Sequence, residues 1–268
     1  MVFHETKEVA VIVMLTQTIE AGREKCAQYF PLDLENASME LQVEATDPFV
    51  NDDMGGTVNE SMLGMITLLE STFDEECGSE IRKLELTMGS YSKIVWHFLF
   101  AGWADYSKPE GAARDALLRL IEISASKCPP DSPRIVHCSA GVGRTGTFVA
   151  LDHLLQELES GKLLKINDPE MDPVFETVNQ LREQRMTMVY NEMQLQFIYE
   201  VLKEQADSKL GGTKADGGGS DLRSPKVARL STDSDYEVSK KPELEPMPEH
   251  LSTLIRSWSG TPGGSDIE

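Results

Sequence analysis

His137-Cys138-Ser139-Ala140-Gly141-Val142-Gly143-Arg144-Thr145-Gly146 is the stretch on which the reading of this 268-residue chain turns. A short strand-like run, Arg134–His137, leads into it. Thr145–Glu159 follows, with Phe148, Leu151, Leu154, Leu155 and Leu158 on one side of a helix and Gly161 placed to end it. Between a strand and a helix, Gly141, Gly143 and Gly146 permit backbone angles that other residues avoid. Successive N–H groups can then turn inward as an anion-binding nest, and the positive end of the helix adds to it. Arg144 supplies a planar fork that fits two phosphate oxygens. The same donors favour the thiolate of Cys138, and the Thr145 hydroxyl is close enough in sequence to donate to that sulfur. One loop thus carries a nucleophile and a cradle for a tetrahedral anion.

Working outward, Val9–Leu15, Met62–Thr72, Ile81–Met88 and Lys93–Phe100 are rich in branched and aromatic residues and are expected to be strands. Gly111–Lys127 carries a helical apolar face, and Asp172–Arg185 and Asn191–Gln205 are expected to be two further helices joined near Thr187–Tyr190. Pro31–Glu60 is acidic and full of turn-forming pairs, which predicts a long surface connection. The fold class is α/β, a twisted mixed sheet flanked by helices. Two units are expected: a folded domain over 1–205, and a tail over 206–268 rich in Ser, Gly, Pro and acidic residues that cannot offset its ordering entropy. Within that tail, Ser224-Pro225 and Ser231–Glu237 offer hydroxyls to a kinase.

The net charge of −20 repels nucleic acid and anionic membrane surfaces, so neither is an expected partner. It repels phosphate esters at long range as well, which means a phosphate site here must work through local donors. The Val9–Leu15 run is far shorter than the roughly 20 residues that span a bilayer. Cys26, Cys77, Cys128 and Cys138 form no Cys-x-x-Cys pair, and no metal or other cofactor is expected. Scattered cysteines without a secretion signal fit a reducing compartment, the cytoplasm or the nucleus.

The loop His137–Gly146 resembles the phosphate-binding loop of tyrosine-specific protein phosphatases. Further segments resemble that family in order. Glu20 and Lys25-Cys26-Ala27-Gln28-Tyr29 with Pro31 are similar to a conserved early loop. Trp96-His97-Phe98 and Trp103-Ala104-Asp105 are similar to a strand and a mobile acid loop. Leu181-Arg182, Arg185-Met186 and on to Gln194 are similar to a helix and a glutamine loop. The likeness covers about residues 8–203 and is nearest to non-receptor, fungal-type enzymes. It implies that Cys138 attacks phosphorus and becomes a phosphocysteine, and that Arg144 and the N–H groups of Ser139, Ala140, Gly141, Val142 and Gly143 hold the oxygens. It implies that Asp105 is the general acid and then the general base, that Trp103 hinges its loop, that Lys25 meets the closed loop, and that Glu20 orients Arg144. His137 and Thr145 would support the loop. Tyrosine-phosphorylated proteins would be the substrates.

The sequence departs from the family pattern in several places. Ala104 stands where the family has proline, which costs roughly 0.4–1 kcal/mol of extra backbone freedom on loop closure. Tyr190 stands where the family has its water-positioning glutamine, and Gln194 matches the neighbouring one. The start of the usual domain, with the loop that walls the phosphotyrosine ring, has no counterpart before Val9, so part of the sheet would be expected to face water. The alternative to an active phosphatase is a phosphotyrosine-binding pseudophosphatase or an inactive fragment.

Overall fold

The computed structural model describes residues 1–41, 64–166, 168 and 170–212. The helices are α1 (Val2–Glu5), α2 (Ala112–Ser126), α3 (Gly143–Glu159), α4 (Pro173–Gln184) and α5 (Glu192–Gly212). The strands are β1 (Val9–Met14), β2 (Ile19–Glu20), β3 (Arg23–Glu24), β4 (Ser38–Leu41), β5 (Gly64–Asp74), β6 (Ser79–Met88), β7 (Tyr91–Phe100) and β8 (Ile135–His137). Six strands form one mixed sheet in the order β4-β5-β6-β7-β1-β8. β4 to β7 are antiparallel neighbours, whereas β1 lies parallel to both β7 and β8.

The unbroken apolar run of β1 reflects this central place. Alternate side chains point to opposite faces of a strand, and both faces of β1 are covered. Val11, Val13 and Leu15 pack with Phe98, Phe100 and the apolar faces of α2, α3, α4 and α5. Ala10, Ile12 and Met14 pack with Phe30, Leu68, Leu84 and Val95 on the other face. Burial of β1 on both faces stabilises it by about 1.5–3 kcal/mol for each large aliphatic side chain. It also fixes β8, the edge strand beside it, and therefore the start of the Cys138 loop: Leu15 N–H donates to the His137 carbonyl at 2.8 Å.

Several expectations change. Ser38–Leu41, inside the stretch expected to be a surface connection, is an edge strand paired with β5. Its Met39 and Leu41 alternate half-buried with exposed Ser38 and Glu40, but four residues among acidic and turn-forming neighbours give a weak period. The rest of that connection, 42–63, lies outside the described residues. α3 begins at Gly143, with Val142 as its N-cap, earlier than the expected start at Thr145. The last helix continues beyond the expected boundary at 205 to Gly212. Lys209 Nζ holds its end to α3 through the Glu159 carbonyl and carboxylate, both at 2.9 Å. The remainder of the tail lies outside the described residues. On β5, Leu68 is 2% exposed, whereas Leu69 and Phe73 are 40% and 67% exposed, so part of the sheet faces water as expected.

Candidate active site

The Cys138 loop runs from the end of β8 into the first turn of α3, as its strand-loop-helix order requires. Gly141 has φ +69, and a side chain there would also press on the Arg185 guanidinium at 3.2 Å. Gly146 lets α3 start against the chain after α4, since a Cβ there would stand 2.5 Å from Val189 N. The Val142 carbonyl accepts from both Gly146 N–H and Val189 N–H, at 2.9 and 3.2 Å. Arg185, to which the sequence reading gave no role, donates from Nη2 to the Ala140 carbonyl at 3.1 Å. Arg182 reaches the carbonyls of Met188 and Val189 from α4. The loop is therefore fixed from behind by backbone and guanidinium contacts, with Cys138 at its base, a free thiol only 7% exposed.

Arg144 is 1% exposed and held on every side but one. Nη1 donates to Glu20 Oε1 at 2.6 Å and to the Trp103 carbonyl at 3.0 Å. Nη2 donates to Glu20 Oε2 and to Thr16 Oγ1, each at 3.2 Å. Nε is buried with no hydrogen-bond partner. A buried guanidinium N–H without an acceptor costs free energy unless a ligand supplies one, and an anion on the Cys138 loop would do so. Glu20 is delivered by the β2–β3 hairpin, whose Ala21 and Gly22 both have positive φ, the geometry of a tight two-residue turn. Burial pushes the Glu20 carboxyl up. Hydrogen bonds from Arg144 and Thr16 and the Arg144 charge outweigh it, so the group lies below its ordinary value.

That shift has a consequence for Glu20→Gln. A depressed carboxylate contributes stability that is present above its ordinary value of 4.5 and lost as pH falls through its folded value. The variant should therefore lose stability at neutral pH and show a shallower acid limb, measured by thermal melts from pH 3 to 7. Losing a charge-assisted bond to Arg144 should also weaken oxyanion binding by roughly tenfold, measured by phosphate inhibition.

Asp105, far from Cys138 in sequence, is brought to the same point. Its Oδ2 accepts from Lys25 Nζ at 2.8 Å, and its Oδ1 lies 3.4 Å from Arg144 Nη2. Trp103 is 1% exposed, edge-on to Phe197 at 6.2 Å, and donates from Nε1 to the Ser107 carbonyl at 2.8 Å. Ala104 closes the turn: its carbonyl accepts from the Ser107 hydroxyl at 2.7 Å and from Ser107 N–H at 3.2 Å. These bonds hold the acid loop without the fixed φ of a proline.

His137 supports the loop. Nε2 lies 2.6 Å from the Tyr29 hydroxyl and Nδ1 lies 3.2 Å from the Cys138 carbonyl. The same hydroxyl is 3.0 Å from His97 Nε2, and burial, with the Arg82 charge, pushes that imidazole down to about 3. Burial lowers His137 as well, more than the Cys138 carbonyl raises it. Thr145 differs from expectation. Because α3 begins at Gly143, Thr145 sits inside the first turn, where its hydroxyl is buried and has no hydrogen-bond partner. Gln194, 1% exposed, lies beside the loop: its amide is 3.2 Å from where a Cβ on Gly143 would stand, and its Oε1 accepts from Tyr190 N–H at 3.1 Å. The Tyr190 side chain points outward to the Tyr106 ring, 5.5 Å away. Thr16, Tyr29 and Arg185 act here without having been singled out. Only Tyr29 and Arg185 carried a sequence signal, through the segments that hold them. Among the described residues no group of His, Cys, Asp and Glu could hold a metal ion.

A free thiol on a strand-to-helix loop, a buried arginine with a spare donor and a carboxylate on a second loop are thus carried by one α/β fold. The chain belongs to the protein-tyrosine phosphatase family, whose sequence model matches residues 1–204. It is 36% identical over 204 residues to tyrosine-protein phosphatase 2 of Schizosaccharomyces pombe, an alignment covering 75% of this chain and 25% of that protein. With tyrosine-protein phosphatase 1 of Saccharomyces cerevisiae it shares 33% identity over 203 residues, covering 72% of this chain and 60% of that one. The catalytic domain of human protein tyrosine phosphatase non-receptor type 18 superposes with a TM-score of 0.56 at 27% identity, covering 74% of this chain and 61% of that one. The chain thus spans a quarter to three fifths of the length of these relatives.

Proposed function

We propose that this chain hydrolyses phosphotyrosine in proteins by way of a phosphocysteine on Cys138. The observation that carries the reading is the placement of Asp105 beside Arg144, whose buried Nε lacks an acceptor. The Cys138 thiolate attacks phosphorus while Arg144 and the loop N–H groups from Ser139 to Arg144 hold the other phosphoryl oxygens. The bond from phosphorus to the tyrosyl oxygen breaks, and that oxygen takes a proton from Asp105. Water then attacks the phosphocysteine, gives its proton to Asp105, and releases phosphate and the free thiolate. Support for tyrosine as the substrate comes from family membership and from the type 18 enzyme, which has been solved with HER2 phospho-peptides. No helix among the described residues is long and apolar enough to cross a membrane. The need for a free thiol favours a reducing compartment, with cytoplasm or nucleus as the place of action. Initial rates on matched phosphotyrosine and phosphoserine peptides test this reading. Equal rates on the two, or none on either, would sink it.

The second step is the slower one in this account. The Gln194 Oε1 already accepts from Tyr190 N–H, and the Tyr190 ring points outward, so of these two side chains only the remaining lone pair of Gln194 Oε1 is left to orient the attacking water. Rapid mixing with an aryl phosphate should then release a burst of about one phenol per site before a slow steady rate. Linear release from the first turnover contradicts the slow second step.

A further inference from the structure

The acid loop and the start of α5 meet at Asn191, to which neither the family resemblance nor the mechanism above gives a task. Its side-chain amide is used at both ends. Oδ1 accepts from Gln194 N–H at 2.9 Å, which caps the start of α5. Nδ2 donates to the Tyr106 carbonyl at 2.9 Å, in the residue that follows Asp105. Tyr106 itself has φ +59, a conformation that a bulky residue keeps only where its surroundings impose it. Its ring is 62% exposed and meets the 54% exposed ring of Tyr190 edge-on, at 5.5 Å and 60°. Two adjacent residues, Tyr190 and Asn191, therefore grip one strained residue of the acid loop, one through its ring and one through its carbonyl. Gln194, whose N–H Asn191 caps, is the residue set against Gly143 of the Cys138 loop.

We propose that Asn191 is a positioning residue that latches the acid loop over the Cys138 loop, its amide tying the Tyr106 carbonyl to the capped start of α5, with the Tyr106–Tyr190 ring pair as the second contact. The latch holds Asp105 where it reaches the leaving group, and it takes the place of the stiffness that Ala104 does not supply. The proposal rests on the phosphatase reading for its effect on rate, but not for the contact itself.

Asn191→Asp and Asn191→Ser both keep an oxygen able to cap Gln194 N–H, while both remove the donor to Tyr106. The serine variant also adds no charge. Hydrogen exchange of the full chain should show the amides of 104–107 opening about fivefold faster in both variants, the effect of one hydrogen bond, with α5 unchanged. The kcat/KM for a phosphotyrosine peptide, which reports the first step and needs the Asp105 proton, should fall about fivefold. The kcat/KM for an aryl phosphate with a weakly basic phenol should fall less than about twofold. Unchanged exchange at 104–107 in either variant, an equal opening along α5, or an equal fall on both substrates overturns the latch. A wild-type chain without turnover would defeat the phosphatase reading alone, because the exchange measurement still decides the latch.

Discussion

Cys138→Ser should abolish phosphate release from a phosphotyrosine peptide, a loss on the order of 10⁶ as for other covalent nucleophiles. A serine hydroxyl reacts well only beside a general base, and in the first step Asp105 serves as the acid and not as a base for the nucleophile. The nearest imidazole in sequence, His137, is committed at Nε2 to the Tyr29 hydroxyl and at Nδ1 to the Cys138 carbonyl. Asp105 is held by Lys25 and lies against Arg144. The loop N–H groups and Arg144, by contrast, are unchanged by the substitution. The variant should bind a tetrahedral oxyanion at least as well as the parent, since the substitution keeps the donors and removes the negative charge of the thiolate. Phosphate release and oxyanion affinity, measured side by side, separate loss of the nucleophile from loss of the site. Comparable loss of both would mean that the loop had collapsed.

Asp105→Asn carries the next largest effect, roughly 10²–10⁴ on kcat/KM for a phosphotyrosine peptide, whose leaving group is a strong base. The effect should shrink to about a few-fold when the leaving phenol needs no proton. The sign of the pH effect follows from the site. Burial pushes the Asp105 carboxyl up, but the Lys25 hydrogen bond and the Arg144 and Lys25 charges outweigh it, so the empty site holds Asp105 below its ordinary value and unprotonated. A general acid must carry a proton. A phosphoryl dianion arriving at Arg144 opposes that positive charge and raises the Asp105 value, so binding should take up a proton from solution. Calorimetry of oxyanion binding in buffers of different ionisation enthalpy should show that uptake in the parent and none in Asp105→Asn.

The Cys138 loop was readable from sequence because its chemistry is local: nest, nucleophile and arginine lie within one turn of chain between a strand and a helix. The central strand was equally plain, since β1 is apolar on both faces and only a strand covered on both sides reads that way. Edges were harder. β4 pairs along a short stretch whose alternation is diluted by its acidic surroundings. α5 outlasts its own apolar period because a Lys209–Glu159 contact, distant in sequence, fastens its end. The site divides along the same line. Glu20, Lys25 and Asp105 were placed by family resemblance, and the structure brings all of them to Arg144 or to one another. Thr16 and Asn191 act through single hydrogen bonds to residues far along the chain, which no periodicity or motif records. Thr145 shows the reverse case. Its nearness to Cys138 in sequence suggested a hydroxyl-to-sulfur bond, but the hydroxyl is buried in the first turn of α3 without a hydrogen-bond partner.

The most direct test of the account is to catch the covalent intermediate. The full chain should be mixed with a phosphotyrosine peptide labelled on its phosphoryl group, quenched in acid within the burst, and digested. The label should appear as an S-phosphoryl group on the peptide containing Cys138, at close to one per chain, and should be missing from Cys138→Ser. Label absent from that peptide at every quench time while phosphate is still released, or label found on another residue, would contradict the assignment of Cys138 as the nucleophile.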